Sequence, residues 1–266
     1  MITSKNIFIS ATCLFVAFCL IPIFLPWLFK HEIGIWFVTF HAIIVFFGAL
    51  VLVGAGVYVF LNSKFIGTNR NIFLAFVLIV SGIFNIFHAL SYGGMPQTII
   101  FPSLSTSYYF WLGARIIIAG GLLLWVKIKS QIKNKYFLLL SFIAASFVVY
   151  LTYSSVDYFN QSLPSLINIF GSDLLKVTTE IFIIIAFLYI GIFELRGEKD
   201  NKNFFYYFLT FLTLAVLNEI YNILTPTNFD LYSIFSHIFE FLSYVFLYIS
   251  LYQYFKNSFI SLNNPE

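Results

Sequence analysis

The chain has 266 residues, of which 61% are hydrophobic, 21% aromatic and only 9% charged. Soluble domains carry about a quarter charged residues, so a water-solvated globular fold is excluded and an integral membrane protein is expected. The formal charge of +3 comes from basic residues scattered through short connections, with no contiguous patch; nothing here suits nucleic acid, and the expected surroundings are the lipid bilayer.

A helix needs roughly 20 apolar residues to cross the hydrocarbon layer. Apolar runs occupy 7–29, 35–60, 72–91, 108–126, 136–154, 177–193, 203–224 and 231–255, separated by clusters of Lys, Asn, Gly, Pro or Asp. The predicted fold is therefore an all-α bundle of about eight transmembrane helices, or seven, with 136–154 the weakest run. The first run is too long for the apolar core of a signal peptide and ends in Pro26-Trp27-Leu28-Phe29 with no small-residue cleavage site, so a retained helix is expected. Cys13 and Cys19 both fall inside that run and have no loop to staple.

Charge sets the predicted orientation. With the N-terminus inside, Lys5, Lys64, Arg70, Lys127, Lys129, Lys133, Lys135, Arg196, Lys199, Lys202 and Lys256 are cytoplasmic, against Lys30 and Lys176 outside. The positive-inside rule then puts both termini in the cytoplasm. Trp27, Trp36, Trp111 and Trp125 lie near span ends, where an indole favours the headgroup zone. Long outer connections are expected from Tyr92 to Ser107 and from Val156 to Ser172. Residues 1–256 are read as a single polytopic membrane domain, and 257–266 as a short polar cytoplasmic tail.

Charges within a span are costly, about 2.5–3.5 kcal/mol for Arg on insertion scales, and so mark candidate sites. Apart from tyrosine, the spans contain His41, His88, Arg115, Glu180, Glu219, His237 and Glu240. At about 1.5 Å per residue, all seven fall in the outer half of the bilayer or near its midplane. Ser81, Asn85 and His88 share one helix face, as do His237, Glu240 and Tyr244. One outward-facing polar pocket is predicted. His41, His88 and His237 are candidate metal ligands or proton acceptors, Arg115 the partner of an anion or a glutamate, Glu180, Glu219 and Glu240 the charge balance, and Asn85 and Tyr92 supporting contacts.

Several readings stay open at this level. Three imidazoles with carboxylates are adequate ligands for zinc or copper, and a metal or haem cofactor is neither required nor excluded. The same residues could serve a small transporter or a membrane-embedded metal-dependent enzyme, or simply hold helices together. Common hydrolase, zinc-protease, phosphate-binding and haem-attachment motifs are missing, which gives catalysis no positive support. Gly48, Gly54, Gly56, Gly113, Gly120 and Gly121 are read as close-packing positions.

Four stretches together resemble a known family: Phe40-His41; Ile86-Phe87-His88-Ala89-Leu90-Ser91-Tyr92-Gly93-Gly94-Met95-Pro96; Trp111-Leu112-Gly113-Ala114-Arg115; and Ser236-His237 leading into Ser243-Tyr244-Val245-Phe246-Leu247-Tyr248. They resemble the third type of bacterial membrane-associated sensor domain, abbreviated MASE. The resemblance implies a bacterial inner-membrane, multi-pass location and a sensory role. It also implies coupling to an output module of histidine kinase or diguanylate cyclase type. Only about ten polar residues follow the last span, so signalling through a partner protein is the expectation. Where the family tends to carry carboxylates, four residues after the second-span His and within a turn after the Arg, this chain has Val45 and the apolar Ile116 to Ala119.

Overall fold

The computed structural model describes residues 3–24, 36–66, 69–92, 95, 104–127, 172–194, 201–225 and 230–263. Every element among them is helical: α1 (Ser4–Phe24), α2 (Trp36–Ile66), α3 (Asn69–Leu90), α4 (Leu104–Lys127), α5 (Ser172–Tyr189), α6 (Lys202–Leu224) and α7 (Leu231–Asn263). A short π-helical turn, Ile190–Glu194, continues α5. All seven α-helices are long and apolar enough to cross a membrane. The fifth predicted span, 136–154, lies outside the described residues, as do most of the two outer connections, and Trp27.

Helix boundaries shift in two informative places. Helix α4 begins at Leu104, so Ser107, predicted to lie in a loop, is helical. Helix α7 runs on to Asn263, through most of the residues predicted as a polar tail. Side-chain caps satisfy backbone donors at two helix starts. Asn201 accepts from Phe204 N at 3.2 Å, and Asp230 accepts from Ser233 N at 2.9 Å.

Six of the helices close into a ring. Helix α2 packs on α3, α3 on α4, α4 on α5, α5 on α6, α6 on α7, and α7 back on α2, while α1 lies outside against α6. The outer surface carries large apolar side chains such as Leu14, Phe47, Leu61, Phe182 and Ile185, which hydrocarbon solvates as readily as a protein core does. Hydroxyls of Thr12, Thr210 and Thr213 bond carbonyls of their own helix four residues back, so they add no unmet polar group to the bundle.

One end of the bundle gathers the helix ends that carry cations. Ser4 bonds Asn203 there, Asn257 bonds Asn201, and Lys127 bonds Tyr189. The Arg70 guanidinium sits 4.4 Å from the centre of the Trp125 ring. Although Trp125 falls at a span end, its ring is turned inward, fully buried against Phe208 and Tyr254. Many phenylalanines also pack internally, among them Phe204, Phe208, Phe211 and Phe255.

Glycine permits the closest approach, between α2 and α3. A Cβ on Gly82 would lie 2.9 Å from the Ala49 carbonyl oxygen, and one on Gly56 would lie 2.8 Å from that of Ala75. These are backbone obstacles that no rotamer change relieves. Of the glycines singled out in sequence, Gly113 and Gly121 are also crowded, by Phe84 and Val77, whereas Gly54 and Gly120 have nothing within 4 Å. Gly82→Ala and Gly56→Ala are therefore each expected to destabilise the protein by about 1–3 kcal/mol. Gly54→Ala and Gly120→Ala should be neutral or stabilising, since Ala outperforms Gly in a helix. Thermal unfolding of the four variants in detergent checks both halves of the contrast.

Candidate functional site

The inside of the ring is polar over one half of its length and apolar over the other. Towards the cation-bearing end, Leu52, Leu74, Leu78, Leu122, Phe208, Phe211, Leu247 and Leu251 form a continuous buried cluster. Above it, each ring helix turns an ionisable or hydrogen-bonding side chain inward: His41 from α2, Asn85 and His88 from α3, Arg115 from α4, Glu180 from α5, Glu219 from α6, and His237, Glu240 and Tyr244 from α7. All of them are buried.

Arg115 is the hub. Its Nη2 lies 2.7 Å from Glu240 Oε2 and its Nη1 lies 3.3 Å from Glu219 Oε1, so one guanidinium pairs with both carboxylates. Glu240 Oε1 accepts the Tyr244 hydroxyl at 2.8 Å, and Tyr244 in turn accepts from Asn85 Nδ2 at 3.2 Å. Glu219 Oε1 also accepts from Asn218 Nδ2 at 2.8 Å. The i, i+3, i+7 set His237, Glu240 and Tyr244 thus acts as one hydrogen-bonded strip on α7, as its spacing dictates.

The histidines continue the network upward. His237 Nδ1 donates to Glu240 Oε2 at 3.3 Å. His88 Nδ1 lies 2.8 Å from both the carbonyl and the hydroxyl oxygen of Ser107, and that hydroxyl donates to the His88 carbonyl at 3.1 Å. Both Ser107 oxygens therefore act as acceptors towards His88, which places the imidazole proton on Nδ1. His88 Nε2 is then an acceptor, and it receives the Nε2 proton of His41 across 3.2 Å. His41 Nδ1 is left as a bare, buried lone pair with no partner among the described residues. The His41 ring lies 4.4 Å from that of His237 and 3.9 Å from that of Tyr92, centre to centre. Tyr92 sits just past the end of its span, and burial pushes its hydroxyl up to about 12, so it remains a neutral donor.

Glu180 differs from the other two carboxylates. It is fully buried, yet neither of its oxygens has a hydrogen-bond partner among the described residues. The charges that act on it are Glu219, Lys176 and Arg115. Arg115 pairs directly with Glu219 and Glu240, whereas Glu180 is left without such a contact among the described residues.

A cleft of about 100 Å³ opens above this network, lined in part by His41, His88, His237, Trp111, Lys176 and Asn222. Seven of the nine candidate residues form one connected set: His41, His88, Arg115, Glu219, His237 and Glu240 by direct contacts, and Asn85 through Tyr244. Tyr92 stacks on His41, and Glu180 lies alongside. Sequence reasoning missed Ser107, Asn218, Asn222 and the cleft role of Lys176. Asn218 and Asn222, one turn apart and flanking Glu219, were the available signal. His41 Nε2 and His88 Nε2 are engaged with each other, and no group of three His, Cys, Asp or Glu among the described residues is arranged to hold an ion.

Residues 36–254 match MASE3, a membrane-associated sensor domain. The chain belongs to the MASE3 family. The matched stretch begins at Trp36, the first residue of α2, and ends at Tyr254 within α7, so it contains all nine candidate residues and most of the ring, while α1 stands outside it. No curated protein and no solved structure matches the chain.

Because Arg115 alone separates Glu219 from Glu240, Arg115→Met strands two buried carboxylates. A loss of about 3–5 kcal/mol is expected, read as earlier unfolding in a detergent-denaturant titration, with Arg115→Lys retaining part of the stability. Wild-type unfolding of Arg115→Met would show that the ion pairs do not hold the MASE3 ring together.

Proposed function

We propose that this MASE3 domain receives a small ligand in the cleft and passes the event through the Arg115 network to the opposite end of the helices, where a signalling module of histidine kinase or diguanylate cyclase type reads it. The observation that carries this reading is the double role of His237. It lines the cleft and also bonds Glu240, the carboxylate paired with Arg115. Occupying the cleft therefore changes a contact that joins α7 to α4, and through Tyr244 and Asn85 to α3. A ligand shifts a conformational equilibrium only through such differential contacts.

Cation placement supports putting the cleft on the outer face of a bacterial inner membrane. Lys5, Arg70, Lys127, Lys202 and Lys256 lie at the other end, on the cytoplasmic side by the positive-inside rule. The apolar half of the ring, from Leu78 and Leu122 down to Leu251, favours signalling over transport, because the described helices offer no polar path through it.

The test reads the far end directly. Leu61 on α2 and Ile260 on α7 are both about half exposed, at 53% and 51%, and both lie near the helix ends remote from the cleft. Spin labels at Leu61→Cys and Ile260→Cys, in a background carrying Cys13→Ser and Cys19→Ser, report their separation by pulsed EPR. His237→Gln is expected to shift the mean distance by about 1–2 Å, the scale of helix displacements in switching proteins. Superimposable distributions with and without His237→Gln would overturn the coupling.

A further inference from the structure

The lining of the cleft has a polarity that narrows what it can hold. His41 Nδ1 is a buried lone pair with no donor among the described residues. In the neutral imidazole, donation from His237 Nδ1 to Glu240 leaves Nε2 as a second lone pair on a ring that lines the same cleft. The deep part of the cleft thus offers hydrogen-bond acceptors, and it calls for an N–H donor. Lys176, also on the lining and only half-buried, supplies the opposite preference, an ammonium that favours an anionic group. A cleft of about 100 Å³ holds only a few non-hydrogen atoms.

We propose that the cleft binds a small zwitterion, its primary ammonium donating to His41 Nδ1 and His237 Nε2 and its anionic group facing Lys176. A free amino acid and the phosphoethanolamine headgroup of a lipid share this chemistry. The proposal rests on the cleft being the receiving site, and it adds the class of ligand. A metal ion is the weaker occupant, because no group of three His, Cys, Asp or Glu among the described residues is arranged to hold one.

Binding is measured on the full chain in detergent by calorimetry, with glycine, phosphoethanolamine, ethylamine, acetate, betaine and Zn²⁺ as separate probes. Glycine or phosphoethanolamine is expected to bind. Ethylamine and acetate, each lacking one charged end, should bind about tenfold more weakly or worse. Betaine, whose quaternary nitrogen has no N–H, should not bind. His237→Gln and Lys176→Met should each weaken the zwitterion by about tenfold or more, with Lys176→Arg retaining most of the affinity. Nanodiscs containing phosphatidylethanolamine, compared with phosphatidylcholine alone, separate the two sources: competition with glycine only in the former identifies a lipid headgroup.

Equal binding of betaine and glycine, binding of acetate alone, or Zn²⁺ binding abolished by His237→Gln would each overturn the zwitterion. If no zwitterion binds while His237→Gln still moves the Leu61–Ile260 distance, the ligand class is wrong and the coupling stands. If glycine or phosphoethanolamine binds and leaves that distance unchanged, the ligand class stands and the coupling is wrong.

Discussion

A guanidinium at the centre of a membrane bundle has no water to solvate it, and the rest of this structure is arranged around that fact. Arg115 is 3% exposed, and Glu219 and Glu240 approach it from two other helices. Each partner is intolerable alone in hydrocarbon and tolerable only in the set. The three residues therefore specify how α4, α6 and α7 face one another, in a medium where apolar side chains give helices little reason to prefer one partner over another. Tyr244 donates to Glu240 and Asn218 to Glu219, and the bond from Asn85 to Tyr244 extends the same constraint to α3.

The division of the ring into polar and apolar halves follows from this arrangement. Above Arg115 the histidines and Ser107 form a relay in which every proton position is set by its neighbour, ending at the bare nitrogen of His41. Below it, leucine and phenylalanine close the ring, assisted by glycines where α2 and α3 meet backbone to backbone. In the lower half, Thr210 and Ser250 bond carbonyls of their own helices, and Asn71 accepts from the Trp125 indole.

Glu180 stands apart within this logic. A fully buried carboxyl with no hydrogen-bond partner among the described residues is the least settled group in the cluster, and it lies one turn below Lys176, which lines the cleft. Buried polar networks are consequential for this reason: when partly satisfied, they respond strongly to any charge that arrives.

Much of this was legible in the chain. The apolar runs, the depth of the seven ionisable residues and the helical spacing of His237, Glu240 and Tyr244 follow from hydropathy and a 3.6-residue period, which are local properties. So is the motif from Ile86 to Pro96 that carries the family resemblance. Pairing is not local. Whether Arg115 would meet Glu180, Glu219 or Glu240 depended on which helices become neighbours in the ring, and the structure joins it directly to the latter two. The His41–His88 contact, which commits nitrogens that spacing alone offered to a metal, is likewise a matter of ring orientation across two helices. Ser107 was hidden because a predicted helix start is uncertain by a turn, and Gly82 because only the approach of the Ala49 carbonyl makes a missing Cβ necessary. The sequence by itself determined the solvent, the spans and the depth of the polar residues, because these depend on each helix alone. Only the tertiary structure decided the partners, the proton positions and the cleft, because these depend on distances between helices that no single helix encodes.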